Sequence, residues 1–224
     1  MRKIRDRVTC YTLGTFLISF SILTANDIGF NGAVDARYGN SYNFYNFSEN
    51  LLDLNFFYND VQGWIQYEYS NPPDIGFATN DIRKFRLEYV ADDFLIKLGD
   101  IYQFWGRGLV LNQFDDQVTH FDNGTRGLYL EYNKYPFSFS HLNGNSNIWM
   151  LGGGARIPEN NNIHNMSANR INYDLSALSL GFTQLETNEK HSLAAGTPVD
   201  INHNILGSYL SWAGSFTDIF LEYA

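Results

Sequence analysis

The chain has 224 residues, with 15 Lys and Arg against 24 Asp and Glu, a net charge of −9 and a mean hydropathy of −0.28. So acidic a chain suits nucleic acid poorly, and no stretch after Ala25 supplies the ~18 consecutive apolar residues of a membrane helix. Membrane β-strands are not excluded, because their hydropathy signal is weak. Aromatics reach 17% while charged residues are only 17%, below the usual ~25%.

Arg2, Lys3, Arg5 and Arg7 precede an apolar run that ends in the small residue Ala25, with Asn26 and Asp27 following. A basic stretch, a short apolar stretch and a small residue make a secretory signal peptide over residues 1–25. Leu23 is a less suitable minus-three residue than Ala, and an uncleaved anchor would need a longer apolar run. Residues 26–224 are then one exported domain with 11 basic and 23 acidic residues, a net charge of −12. The one cysteine, Cys10, leaves with the signal, and with it disulfides, thiolate zinc sites and cysteine nucleophiles.

From Ile28 onward, period-two alternation recurs and helical periodicity is nearly absent. Leu52, Leu54, Phe56 and Tyr58 alternate with polar neighbours; Phe85, Leu87 and Tyr89 alternate with Lys84, Arg86 and Glu88. Phe94, Ile96 and Leu98 follow, then Phe137 and Phe139 between serines, Leu178, Leu180 and Phe182, and finally Ile219, Leu221 and Tyr223. The pattern predicts about twelve strands, the first near Ile28–Arg37 and the last near Phe216–Tyr223.

Short connections are expected at Asn59–Val61, Ala91–Asp93, Asn133–Tyr135 and Ala213–Ser215. Long ones are expected at Tyr38–Ser48, Ser70–Asn80, Gly99–Thr125 and Thr187–His203. Short and long alternate as in an outer-membrane β-barrel. The alternation stumbles where HLNGNSN, ahead of Ile148, is too short for an outer loop, and where Pro158–Ser167 is long in place of a turn. A soluble sandwich or barrel would also alternate, but ten-residue strands are long for one. Aromatics crowd the strand ends (Trp64, Tyr67, Tyr69, Tyr89, Tyr132, Trp212, Tyr223) like an interfacial girdle. The second face is wet rather than apolar. The expected fold is therefore all-β, an antiparallel up-and-down transmembrane barrel. Twelve strands can close alone, or the pattern left unfinished at Ala224 can be the front of a larger barrel.

GDIYQFWGRG lacks the Lys-Ser/Thr and following helix of a phosphate loop. Asp115, Asp116, His120 and Asp122 could bind a divalent cation, but the calcium-loop series is missing. Ion pairing with Arg107 and Arg126 is the favoured reading. The five histidines are scattered, no nucleophile elbow occurs, and no cofactor motif is present. The sequons at Asn46, Asn123 and Asn165 read as loop positions.

The segment KLGDIYQFWGRGLVLNQFDDQVTHFDNGTRGLYLEY, Lys97 to Tyr132, resembles a family of uncharacterised exported β-barrel proteins of Bacteroidetes-type bacteria, a domain of unknown function. The residues that carry the resemblance are Gly99, Asp100, Tyr102, Gly106, Gly108, Leu109, Asp115, Asp116, Asp122, Asn123, Arg126 and Gly127. It covers about a sixth of the chain and implies an outer-membrane location and a barrel, not a ligand. Family members are usually longer.

Read together, these features describe a porin-like passive channel for small solutes, in outer-membrane lipid, with mild cation preference. The 99–125 loop folds inward and narrows the lumen; Gly106 and Gly108 let it bend. The residues expected to form the constriction or to brace the loop are Asp100, Trp105, Arg107, Asp115, Asp116, Asp122 and Arg126, with opposed charges tuning selectivity. The alternative is a non-conducting barrel whose Tyr- and Asn-rich loops bind polysaccharide or a partner protein. An enzyme is the third reading, and nothing in the residues favours it.

Overall fold

The computed structural model describes residues 13–23, 28–41, 45–73, 78–116, 121–149, 161–191 and 199–224. The cleavage point after Ala25, Cys10 and His120 lie outside them. Among the described residues there is no helix.

Twelve strands form one antiparallel meander: β1 (Leu13–Leu23), β2 (Ile28–Ser41), β3 (Tyr45–Tyr58), β4 (Val61–Ser70), β5 (Thr79–Val90), β6 (Phe94–Ile101), then β11 (Thr125–Lys134), β12 (Phe137–Trp149), β13 (Asn161–Leu175), β14 (Leu178–His191), β15 (Val199–Ala213) and β16 (Asp218–Tyr223). Four two-residue strands lie between β6 and β11: β7 (Phe104–Trp105) pairs with β8 (Leu111–Asn112), and β9 (Asp115–Asp116) with β10 (Phe121–Asp122).

Residues 13–23 run along β2 from Leu13 opposite Tyr38 to Leu23 opposite Gly29. Removal of residues 1–25 would leave β2 as the sheet edge.

The alternation of connections holds through the second half, where the sequence reading had it stumble, and fails only at 42–44, three residues where a long loop was expected. At one end the strands are joined by residues 24–27, 59–60, 91–93, 135–136, 176–177 and 214–217; at the other by 42–44, 71–78, 102–124, 150–160 and 192–198. The HLNGNSN stretch lies in β12 and Asn161–Ser167 in β13, paired in register from Trp149 opposite Asn161 to Phe137 opposite Tyr173. Both strands continue past their apolar part and become polar on both faces, so alternation is lost while the ladder goes on. The same cause undoes most of the expected Tyr38–Ser48 loop, where only 42–44 separate β2 from β3, and puts the sequon residues Asn46 and Asn165 in strands.

The two faces differ chemically. One register row on the outer face reads Phe94, Tyr132, Phe139, Ile171, Phe182 across five strands. Two steps toward the long connections the row is Ile96, Leu130, His141, Asn169, Gln184, and the next is Leu98, Leu128, Asn143, Ser167, Glu186. The apolar border therefore crosses the rows obliquely. The inner face carries Asp53, Gln66, Glu68, Lys84, Arg86, Glu88, Lys97 and Arg170. Trp64, expected in an aromatic girdle, faces inward: its Nε1 donates to Asp53 at 2.9 Å, and the Arg86 guanidinium lies over its ring at 5.4 Å.

The sheet is curved but open, which corrects the expectation of a closed barrel. Its edges are β1 and β16, each paired on one side only. β16 covers only Ser208–Ala213 of β15, leaving the rest of that edge without a strand partner among the described residues. Curvature follows from the 102–124 segment. A flat sheet would separate β5 from β16 by seven inter-strand steps, about 34 Å. One compact double hairpin touches both: the Asp115 carboxylate meets Lys84 on β5, and the Arg107 N–H donates to Glu222 on β16.

Candidate functional site

The site is built where the 102–124 segment folds against the inner face. Gly99 takes a φ of +107°, and a Cβ there would lie 2.2 Å from the Phe85 carbonyl oxygen, so only glycine fits where β6 parts from β5. The chain then turns inward. Gly106 and Gly108, with φ of +62° and +85°, close the β7–β8 hairpin, as the sequence indicated.

Half of the segment is held by apolar contact. Tyr129, Leu142, Ala168, Leu185 and Ile205 are successive register partners on β11 to β15, an apolar shelf across a largely polar face. Trp105, Val110 and Leu111 pack on it together with Ile101. Trp105 is 2% exposed, and Val110 approaches Gly207 so closely that a Cβ there would lie 2.4 Å away. Burying a side chain of this size contributes roughly 1.5–3 kcal/mol.

The other half is held by charge. The β4–β5 register shifts between Gln66 and Tyr67, with Gln66 opposite Lys84 and Tyr67 opposite Ile82. Such a bulge breaks the alternation, so the adjacent cations Arg83 and Lys84 both reach inward. Lys84, 3% exposed, sits 2.5 Å from Asp115 and 2.8 Å from Asp122. Arg83 lies 3.2 Å from Asp115 and 3.6 Å from Glu68, and donates to Gln66 Oε1 at 3.3 Å. Glu68 also accepts from Ser70 at 2.7 Å, and Gln66 donates to Asp53 at 3.0 Å. Four carboxylates, Asp53 of β3 among them, and two cations, with Gln66 between, thus link the segment to β3, β4 and β5.

Tyr102 donates to Asp122 at 3.1 Å, with Lys84 Nζ 5.0 Å from its ring centre. Burial, and then the neighbouring Asp122 and Asp115 charges, push its phenol well above the ordinary range. Burial alone would raise the Asp122 carboxyl. Lys84, the Gly124 N–H and the Tyr102 hydroxyl outweigh it and hold Asp122 below its ordinary value.

Gln113 ties the two halves together, donating to Thr125 Oγ1 at 2.6 Å and to the Asn123 carbonyl at 3.1 Å.

The sequence-predicted residues divide. Asp115 and Asp122 are ion-paired, but with Arg83 and Lys84 rather than with Arg107 and Arg126. Asp100 and Arg126 meet each other at 2.9 Å on the outer face and fill a gap in the wall. Strand β6 pairs with β5 only from Gly99 to Leu95, so β5 loses its partner above Arg86. There the Asp100 carboxylate accepts the Phe85 N–H at 2.8 Å, and Arg126 donates to the Arg83 carbonyl at 2.9 Å. The guanidinium of Arg107 lies over Phe220 at 4.7 Å. Trp105 is a shelf contact rather than a free lumen side chain, and Asp116 is half-buried opposite Phe121.

Sequence reasoning missed Arg83, Lys84 and Glu68; the adjacent cations within an alternating strand were the available signal of a bulge. It also treated the histidines as scattered, whereas His164 and His203 flank Glu189 on the inner face at 3.6 and 3.8 Å. Among the described residues, no group of three or more His, Cys, Asp or Glu is placed to hold a metal ion.

No family model, curated protein or solved structure matches this chain.

Proposed function

We propose that the chain forms the wall and inner loop of an outer-membrane β-barrel, a passive channel for small solutes with its lumen narrowed by the 102–124 segment. The observation that carries this reading is the sorting of the faces: an apolar band outside, bounded obliquely by polar rows, and charges, amides and a docked loop inside. An apolar outer band around a polar interior is the arrangement that lipid requires. The oblique apolar border is what tilted strands crossing a flat membrane produce. The signal-like residues 1–25 and the resemblance of Lys97–Tyr132 to exported barrel proteins point the same way. An unpaired strand edge is costly in lipid, so in the membrane both open edges are closed by strand pairing. Acidic groups outnumber basic ones, which favours cations in transit.

The apolar shelf supports a second reading, a barrel plugged by its own loop. Refolding the full chain from detergent into a planar bilayer separates the two. Discrete conductance steps from wild type support the channel. Steps that appear only after Trp105→Ala loosens the loop support the plug. A folded protein that stays silent in both forms would refute a pore of either kind.

A further inference from the structure

Beyond the apolar rows, the outer face of β12 to β15 carries a second regular surface. Asn145, Asn165, Asn188 and Asn202 are successive register partners across four strands, and Asn143, Ser167, Glu186 and Asn204 form the adjacent row. These side chains repeat about every 4.8 Å across the strands and about 6.6 Å along them. They line a groove of about 550 Å³. Asn188 donates to Asn202 at 2.7 Å, whereas the side-chain amides of Asn143, Asn145, Asn165 and Asn204 form no hydrogen bond among the described residues. Seven of the eight side chains are uncharged. Each free amide offers two donors and one acceptor, the complement of a hydroxyl that donates and accepts. A phosphate would call for Arg or Lys here, and an apolar partner would leave the amides unpaired.

Position selects the occupant. These rows continue the same strands on the same face as the lipid-facing rows, on the side of the long connections. We propose that this amide face binds the sugar headgroup of a glycolipid in the surrounding leaflet. The proposal rests on the membrane reading above, which orients the apolar rows toward lipid.

The test holds the folded full-length protein in detergent micelles with equal amounts of two lipids of the same acyl chains. One is an uncharged diglycosyl diacylglycerol; the other is the diacylglycerol lacking those sugars. Native mass spectrometry then counts each lipid retained. Wild type is expected to retain the sugar-bearing lipid about tenfold more strongly, the equivalent of one or two net hydrogen bonds. The combined change Asn145→Ala, Asn165→Ala, Asn188→Ala and Asn202→Ala is expected to abolish that preference while heat-dependent gel mobility stays as in wild type. The pair Asn165→Ala and Asn188→Ala asks the same of the central strands with less disturbance, and should weaken the preference severalfold. Equal retention of the two lipids by wild type, or an unchanged preference in the variants, would overturn the proposal. So would the free disaccharide competing as well as the intact lipid, which would make the face a site for soluble glycan. A protein that conducts but shows no sugar preference overturns this inference alone; one that folds in buffer without detergent overturns the membrane reading beneath it.

Discussion

The two halves of the inner loop are anchored by opposite physics. Around Trp105, Val110 and Leu111 the contact is apolar, spread over five strands, and indifferent to charge. Around Asp115 and Asp122 it is ionic, concentrated on Arg83 and Lys84. The apolar half adds up contact by contact, so losing one part costs that part. The ionic half is all or none, since a buried ion pair is close to neutral when complete and strongly unfavourable when one partner is removed. The apolar half is therefore the permanent anchor and the ionic half the conditional one.

Trp105→Ala is expected to give the largest effect, about 3–5 kcal/mol, because it removes the largest side chain on the shelf and leaves a cavity. Loop proteolysis in the folded protein should rise accordingly at every pH. Lys84→Met should cost about 3 kcal/mol by leaving Asp122 without its cation and Asp115 with Arg83 alone. Adding Asp115→Asn and Asp122→Asn to that variant should recover most of the loss in a thermal melt. No recovery would show that Lys84 acts by packing rather than by charge.

Acid distinguishes the anchors more gently. The Asp122 carboxyl is held below its ordinary value of 3.8 in the folded state, so it binds a proton less readily than in the unfolded chain. Its contribution is present in full above that value and is lost as pH falls through the lower folded value. Loop protection in wild type should fall below about pH 4, and Asp122→Asn should flatten that dependence. The smallest effect is expected from Arg126→Leu, about 1 kcal/mol. Half of this side chain is in contact with solvent, and its main service is to the Arg83 carbonyl and the Asp100 carboxylate. Amide hydrogen exchange should quicken at Phe85, beside the gap, and not at Leu142, on the shelf.

Where burial alternates with exposure, the strands were legible from sequence. Phe85–Leu87–Tyr89 and Leu178–Leu180–Phe182 face outward as their spacing indicates, and the turns at 59–60 and 91–93 fall where polar residues interrupt the pattern. Asn143–Asn147 and Asn161–Asn165 were not legible, because a strand wet on both faces has the composition of a loop. The inward course of 102–124 was readable from Gly106, Gly108 and its aromatic content. Its partners were not. The shelf exists only when the register aligns Tyr129, Leu142, Ala168 and Leu185, and the ionic anchor only when a bulge turns Arg83 and Lys84 the same way. Register and bulges are set by pairing, which one strand's sequence does not state.

The central claim is that one face of the sheet meets lipid and the other encloses a docked loop. Single-tryptophan proteins in bilayers of bromine-labelled acyl chains test it most directly. One retains Trp212, on the outer face beside Leu178 and Ile219; the other retains Trp105, on the shelf; phenylalanine replaces the remaining tryptophans. Strong quenching of Trp212 and little of Trp105 is the predicted result. Equal quenching of the two, or none of Trp212, would contradict it.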